Sequence, residues 1–235
     1  MKRNTIWSYM IILNIIAVAA MIAFAYYTSD SVTALSENAV ISERRVVVID
    51  AGHGGIDGGA TSFSGILESK TNLQIALRLR DVCHLLGIKT VMIRTEDVSI
   101  YTSGQTIAAK KISDLKERVR IVNEIDNCTL ISIHQNYFYD SKYSGAQVFY
   151  NQNEFAEDLA AQMQKAFINS LNRGSNRKHK KAEGIYLMQN TVNPGILIEC
   201  GFISNEKEDM LLQSPQYQKK LCMVIGSVLS SNLIT

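Results

Sequence analysis

From residue 45 onward the chain alternates between two hydrophobic rhythms. Short runs of adjacent apolar residues, at 46–49, 89–93, 129–133, 146–150, 185–188 and 196–199, read as buried strands. Between them lie longer stretches whose apolar residues recur every three to four positions, the pattern of an amphipathic helix. The first, residues 71–87, carries Leu73, Ala76, Leu77, Leu79, Cys83 and Leu86 on one stripe, with Gly87 as its C-cap. Further helices are expected over 112–125, 154–171 and 215–233, the last opened by Pro215 at its first turn. Residues 94–109 and the basic stretch 173–183 read as loops. Strands alternating with helices predict an α/β fold. The expectation is a single domain on a mostly parallel, twisted sheet of about six strands, with helices on both faces.

The N-terminus follows a different rhythm. Lys2 and Arg3 precede residues 6–27, a 22-residue span in which Ser8 and Asn14 are the clearly polar breaks. As a helix it would reach ~33 Å, enough for a hydrocarbon core of ~30 Å. Positive charge before such a run is the pattern of an export signal. Ala23-Phe24-Ala25 suits a signal peptidase, while the length of the run suits an uncleaved anchor, and both readings stand. Either way residues 45–235 are expected outside the cytoplasmic membrane. Residues 28–44, small and polar without periodicity, read as a linker. The net charge of +2 gives no argument for nucleic acid, and 46% hydrophobic residues exclude a disordered chain. Cys83, Cys128, Cys200 and Cys222 lack metal-ligand spacing and read as small buried hydrophobes.

Chemistry concentrates around residues 46–60, VVVIDAGHGGIDGGA. Five of its last ten residues are glycine, the residue for positive φ or close backbone approach, and His53 sits among them. The loop lacks the third glycine of a dinucleotide fingerprint, and no Gly-Lys-Ser/Thr follows it, so it is not a phosphate cradle. His134 ends the TLISI run, and Glu199 ends GILIE. Parallel strands share one carboxyl rim, so these three side chains can meet there. Glu68, on the segment leaving the glycine loop, returns a second carboxylate to the same rim. Two histidines and one carboxylate, with a position left for water, are a ligand set of catalytic zinc. Glu68, beside His53, is better placed as the ligand. Glu199, at the mouth of an apolar strand, is better placed as the base. His84 reads as structural, His179 as part of a solvated basic loop, and Cys200 as turned away from Glu199 by strand alternation.

Four segments then carry a resemblance: VVVIDAGHGGIDGGA, ILESKTNLQIALRLRD, ISIHQNY and GILIECGFISNEKE. In this order they closely resemble the zinc-dependent N-acetylmuramoyl-L-alanine amidases of bacterial cell walls, over essentially residues 45–233. The resemblance implies a phosphorylase/hydrolase-like fold and a bound Zn2+. It also implies His53, Glu68 and His134 as metal ligands, Glu199 as catalytic carboxylate, and peptidoglycan as substrate. Where that pattern has a small residue after Ser-Ile-His-x-Asn, this chain has the bulky Tyr137. A short catalytic domain behind one hydrophobic segment is similar to the members that act on the spore cortex. The absence of wall-binding repeats implies help from an accessory activating or targeting protein. A zinc peptidase acting on the stem peptide, or a non-catalytic wall-binding module of the same fold, are the rival readings.

Overall fold

The chain divides after Glu43 into two units. The computed structural model describes residues 18–21, 23 and 45–233. The few described residues of the first unit are helical and exposed. The remainder of the expected leader, and the expected linker, lie outside the described residues. No helix among the described residues is long and apolar enough to cross a membrane.

The second unit is built on a six-stranded sheet: β1 (Val46–Ala51), β2 (Thr90–Met92), β3 (Cys128–Asn136), β4 (Gln147–Tyr150), β5 (Lys180–Lys181) and β6 (Gly195–Phe202). Their order across the sheet is β2-β1-β3-β6-β4-β5. All neighbours run parallel except β4, which is antiparallel to β6. Six helices complete the unit: α1 (Glu68–Leu85), α2 (Ile107–Asn123), α3 (Glu154–Ser170), α4 (Tyr186–Asn190), α5 (Glu206–Leu212) and α6 (Pro215–Leu233).

Alternation along the strands sorts the core into two layers. Ile49, Ile131, Ile133, Ile196 and Ile198 point to the face covered by α1, α3 and α6, against Leu79, Met163, Phe167 and Ile225. Val48, Leu130 and Leu197 point to the opposite face, against Val122 of α2 and Leu187 and Met188 of α4. The expected mostly parallel sheet covered on both faces is what forms.

Local expectations change in three places, and one helix, α5, is added. Residues 107–109, read as loop, belong to α2. Residues 185–188 form the N-cap and start of α4 instead of a strand. Leu187 and Met188 bury adjacent side chains in the same layer, which a strand would send to opposite faces. The fifth strand comes instead from the basic loop, where Lys180 and Lys181 pair with Phe149 and Tyr150. Helix α5 follows a signal present in the sequence: Asn205 caps it by accepting a hydrogen bond from the Glu208 amide at 3.1 Å.

Candidate active site

The carboxyl ends of β1, β3 and β6 lie side by side, because these strands are mutually parallel and adjacent. His134 and Glu199 are direct partners across β3 and β6, so their side chains leave the same face of the sheet. Immediately after His134 the ladder shifts register at a bulge, and pairing resumes between Asn136 and Phe202. His53 stands two residues past β1 with φ +61°, left-handed backbone that is costly for a residue bearing a Cβ. Glu68 opens helix α1. The sequence reading put it on the segment that leaves the glycine loop, ahead of a helix from 71. The helix instead starts at Glu68, after a Leu67 that offers no side-chain cap. On the first turn the carboxylate is rigid and complements the helix dipole.

These side chains meet. Glu68 Oε1 lies 3.0 Å from His134 Nδ1, and Glu68 Oε2 lies 3.3 Å from His53 Nε2. The two imidazoles are edge to face, with centroids 5.0 Å apart. One ligand atom from each of His53, Glu68 and His134 falls within 4.8 Å of the others, which no other trio among the described residues achieves. Glycine makes this closeness possible at two positions. A Cβ on Gly52 would stand 2.2 Å from His134 Cε1 and Nε2. One on Gly59, itself at φ +68°, would stand 2.6 Å from Glu68 Oε2.

A second layer fixes the orientation. His53 Nδ1 is 2.8 Å from Asp57 Oδ2, and Asp57 Oδ1 is 2.7 Å from Lys111 Nζ. Glu68 accepts hydrogen bonds from the Ala60 and Gln135 amides and from Asn72 Nδ2. Two buried arginines grip the backbone beneath the loop. Arg94 donates to the carbonyls of Ala51, Gly52 and Ser69. Arg118 donates to the carbonyls of Ala51 and His53 and pairs with Asp50 and Asp114. Sequence reasoning missed Asp50, Asp57, Asn72, Arg94 and Arg118. Only Arg118 left a clear trace: it lies four residues after Asp114 in an otherwise amphipathic helix, the spacing of an intrahelical ion pair.

The electrostatics follow from this packing. Burial opposes the charged form of His53, but hydrogen bonds to Asp57 and then Glu68 outweigh it and hold the imidazole up to about 9. Burial alone would raise Glu68; hydrogen bonds from His134 and then His53 hold it well below the usual carboxylate range. Asp57 is lowered by the hydrogen bond from His53. Glu199 behaves oppositely. Its Oε2 is buried without a hydrogen-bond partner among the described residues, and desolvation pushes its carboxyl up to about 7. A cavity of about 370 Å3, lined in part by Gly52, His53, Lys111, His134, Tyr186 and Glu199, opens in front of these groups. Such a site can hold a divalent cation between anionic and imidazole donors, with a carboxyl beside it able to exchange protons near neutral pH.

The remaining sequence candidates lie elsewhere. His84 is exposed on α1 and bonds Thr90 Oγ1, and His179 rests near the Tyr150 ring. All four cysteines are free and buried, and burial drives the Cys200 thiol far from a nucleophilic state.

Comparison with known proteins agrees with this geometry. Residues 47–229 match the family model described as N-acetylmuramoyl-L-alanine amidase. The chain is 39% identical over 184 residues to the germination-specific N-acetylmuramoyl-L-alanine amidase of Bacillus subtilis, covering 77% of this chain and 76% of that one. It is similar to the solved CwlD amidase from Clostridioides difficile, determined in complex with the GerS lipoprotein: TM-score 0.77, 35% identity, 81% of this chain and 98% of that chain. The catalytic domain of CwlV, the amidase from Bacillus (Paenibacillus) polymyxa, matches with a TM-score of 0.67 at 26% identity, over 81% of this chain and 98% of that one. With a family model spanning nearly all of its second unit, the chain belongs to the N-acetylmuramoyl-L-alanine amidases.

Proposed function

We propose that this amidase is zinc-dependent, that His53, Glu68 and His134 hold the metal, and that Glu199 moves the proton. The observation that carries the reading is the meeting of three ligand atoms within 4.8 Å, beside a carboxyl whose buried Oε2 has no partner. A buried, unpartnered polar atom costs about 1–3 kcal/mol, a cost natural sites retain where the group is used. The donor set is that of catalytic zinc.

Bound zinc would polarise the amide carbonyl and acidify an attacking water. The residues of this chain do the rest. Asp57 holds His53 by Nδ1, so that Nε2 faces Glu68. Glu68 Oε1 and His134 Nδ1 lie 3.0 Å apart, while Glu68 Oε2 faces His53, so one carboxylate touches both imidazoles. Glu199 accepts the proton of the water that attacks the carbonyl carbon between the lactyl group of muramic acid and L-alanine. It then delivers that proton to the alanine nitrogen, so the peptide leaves as an amine. A carboxyl near 7 accepts and returns a proton at little cost, and a cation alongside draws it toward the ionised form that a base requires.

The substrate is accordingly peptidoglycan, and the relative named germination-specific supports the spore cortex as its location. The apolar span 6–27 then serves as export signal or anchor, 28–44 as linker and 45–235 as the catalytic domain. An accessory partner finds support in the CwlD amidase described with the GerS lipoprotein. Mass spectrometry of digested peptidoglycan tests the reaction. The expected products are intact stem peptides with a free alanine amine, lost in Glu199→Ala with zinc content unchanged. Cleavage inside the stem peptide would make the enzyme a peptidase. Activity surviving in Glu199→Ala, or zinc content unchanged in His53→Ala, would overturn the residue roles.

A further inference from the structure

A second concavity, about 670 Å3, lies on the flank of Glu199 away from His53. Its lining includes Lys142, Gln147, Arg173, Arg177, Lys178 and Lys180, and no carboxylate lines it among the described residues. Lys142 is taken by Asp140 at 2.7 Å. The buried Glu208 lies close enough to Arg177 to feel its charge, but its oxygens accept from the Gly145 and Phe202 amides, each at 2.8 Å. Arg173, Arg177, Lys178 and Lys180 make no ion pair among the described residues. Three cations without a carboxylate partner, Arg173, Lys178 and Lys180, beside an Arg177 that faces the charge of Glu208, make the hollow attractive to an anion.

The sheet ties this hollow to the catalytic row. Gln147 is the direct partner of Glu199 across β4 and β6, as His134 is across β3 and β6. His134, Glu199 and Gln147 therefore stand in one line on one face. Beyond that line, Gln147 Nε2 donates to the Lys178 carbonyl at 2.9 Å, and its Oε1 accepts from Arg177 Nη1 at 3.0 Å. Arg177 is held further by its bond to the Ser144 carbonyl at 2.7 Å and by stacking over Phe202, 4.5 Å from the ring centre. The basic rim is thus fixed one strand away from the proton carrier.

Proton transfer gives the direction. Glu199 protonates the departing nitrogen, so the leaving peptide extends on the Glu199 flank and the glycan side of the carbonyl on the other. The peptide is the anionic half, because its residues beyond the alanine carry free carboxylates, whereas the muramic carboxyl is consumed in the amide. Resting on the amidase reading above, we propose that the pocket of Gln147, Arg173, Arg177, Lys178 and Lys180 is the subsite for the acidic peptide, receiving its carboxylates and setting substrate preference.

The test uses the full chain with zinc and two muropeptides, one with free peptide carboxylates and one with them amidated. Lys178 and Lys180 are exposed, so Lys178→Glu/Lys180→Glu leaves the fold intact, which thermal melting verifies. The expected result is a rise in KM on the order of tenfold for the acidic substrate, with kcat nearly unchanged, and no change for the amidated one. An equal rise on both substrates, or none on either, would overturn the subsite. Titration of the metal-free chain with the free acidic peptide separates the two readings. Intact cleavage with peptide affinity unmoved by the charge reversal rejects the subsite and keeps the amidase. Absent cleavage with affinity lowered about tenfold keeps the subsite and rejects the amidase reading.

Discussion

Arg118→Met is the most informative single perturbation of the scaffold. Arg118 is 2% exposed, and its guanidinium joins Asp50, Asp114 and the carbonyls of Ala51 and His53. Methionine fills much of the same space but removes every donor. Asp50, 1% exposed, would keep only the Ser132 hydroxyl, 2.6 Å away, and the His53 carbonyl would lose its clamp. Breaking a buried pair in this way costs about 3–5 kcal/mol. Domains of this size lose about 2–4 °C per kcal/mol, so the metal-free chain should melt roughly 6–20 °C lower by circular dichroism. The pH dependence carries a second signature. Burial pushes Asp50 up, but Arg118 and Ser132 outweigh it and hold the carboxyl below its ordinary 3.8. In the parent, Asp50 therefore contributes stability that is present above its unfolded value and lost as pH falls through its folded one. Without Arg118, burial dominates and the folded value rises above the unfolded one. The variant then loses stability as pH rises above the unfolded value of Asp50, and its deficit narrows as the pH is lowered toward that value. Asp50→Asn added to Arg118→Met removes the stranded charge and should recover about 1–3 kcal/mol. A melting point within about 2 °C of the parent, or a double variant no better than the single one, would refute the clamp.

Further outcomes follow from the same geometry. Glu199 is lifted by burial to about 7 from 4.5, so the metal-free fold loses on the order of 3 kcal/mol from this group as pH rises through that window. Glu199→Gln should therefore match the parent's melting point at pH 4 and exceed it at pH 8; parallel profiles would contradict the burial. Gly52→Ala places a methyl group 2.2 Å from the His134 ring and should cost roughly 100-fold in peptide release through displacement of that ring, with zinc affinity falling alongside. An unchanged rate would show that the ring is not confined there. His53 holds its proton up to about 9, so zinc binding to the metal-free chain should release a proton at neutral pH and tighten as pH rises toward 9. Calorimetry in buffers of different ionisation enthalpy reads that proton, and pH-independent binding would remove His53 from the ligand set.

The same contrast between strand ends and buried supports explains what could be read in advance. His53, His134 and Glu199 were legible because each ends or closely follows an apolar run, and parallel strands deliver their carboxyl ends to one rim whatever the loops do. Glu68 was legible as a participant but not as a helical residue, since the chain enters α1 through Leu67 without a side-chain cap. The supporting layer left little trace beyond the Asp114–Arg118 spacing. Arg94 and Arg118 are charged residues in segments that read as a loop and an amphipathic helix, and composition places such residues in water. They are buried because the glycine loop exposes carbonyls that its own backbone cannot satisfy: those of Ala51, Gly52 and His53 all accept from guanidinium groups. A loop rich in glycine can bring two imidazoles and a carboxylate together, but it cannot by itself hold them there. The requirement for external donors is therefore a consequence of the glycines. The general inference from sequence is that a glycine-dense loop carrying a reactive histidine calls for buried arginines or amides drawn from remote segments. Which arginines serve is decided only when the helices pack.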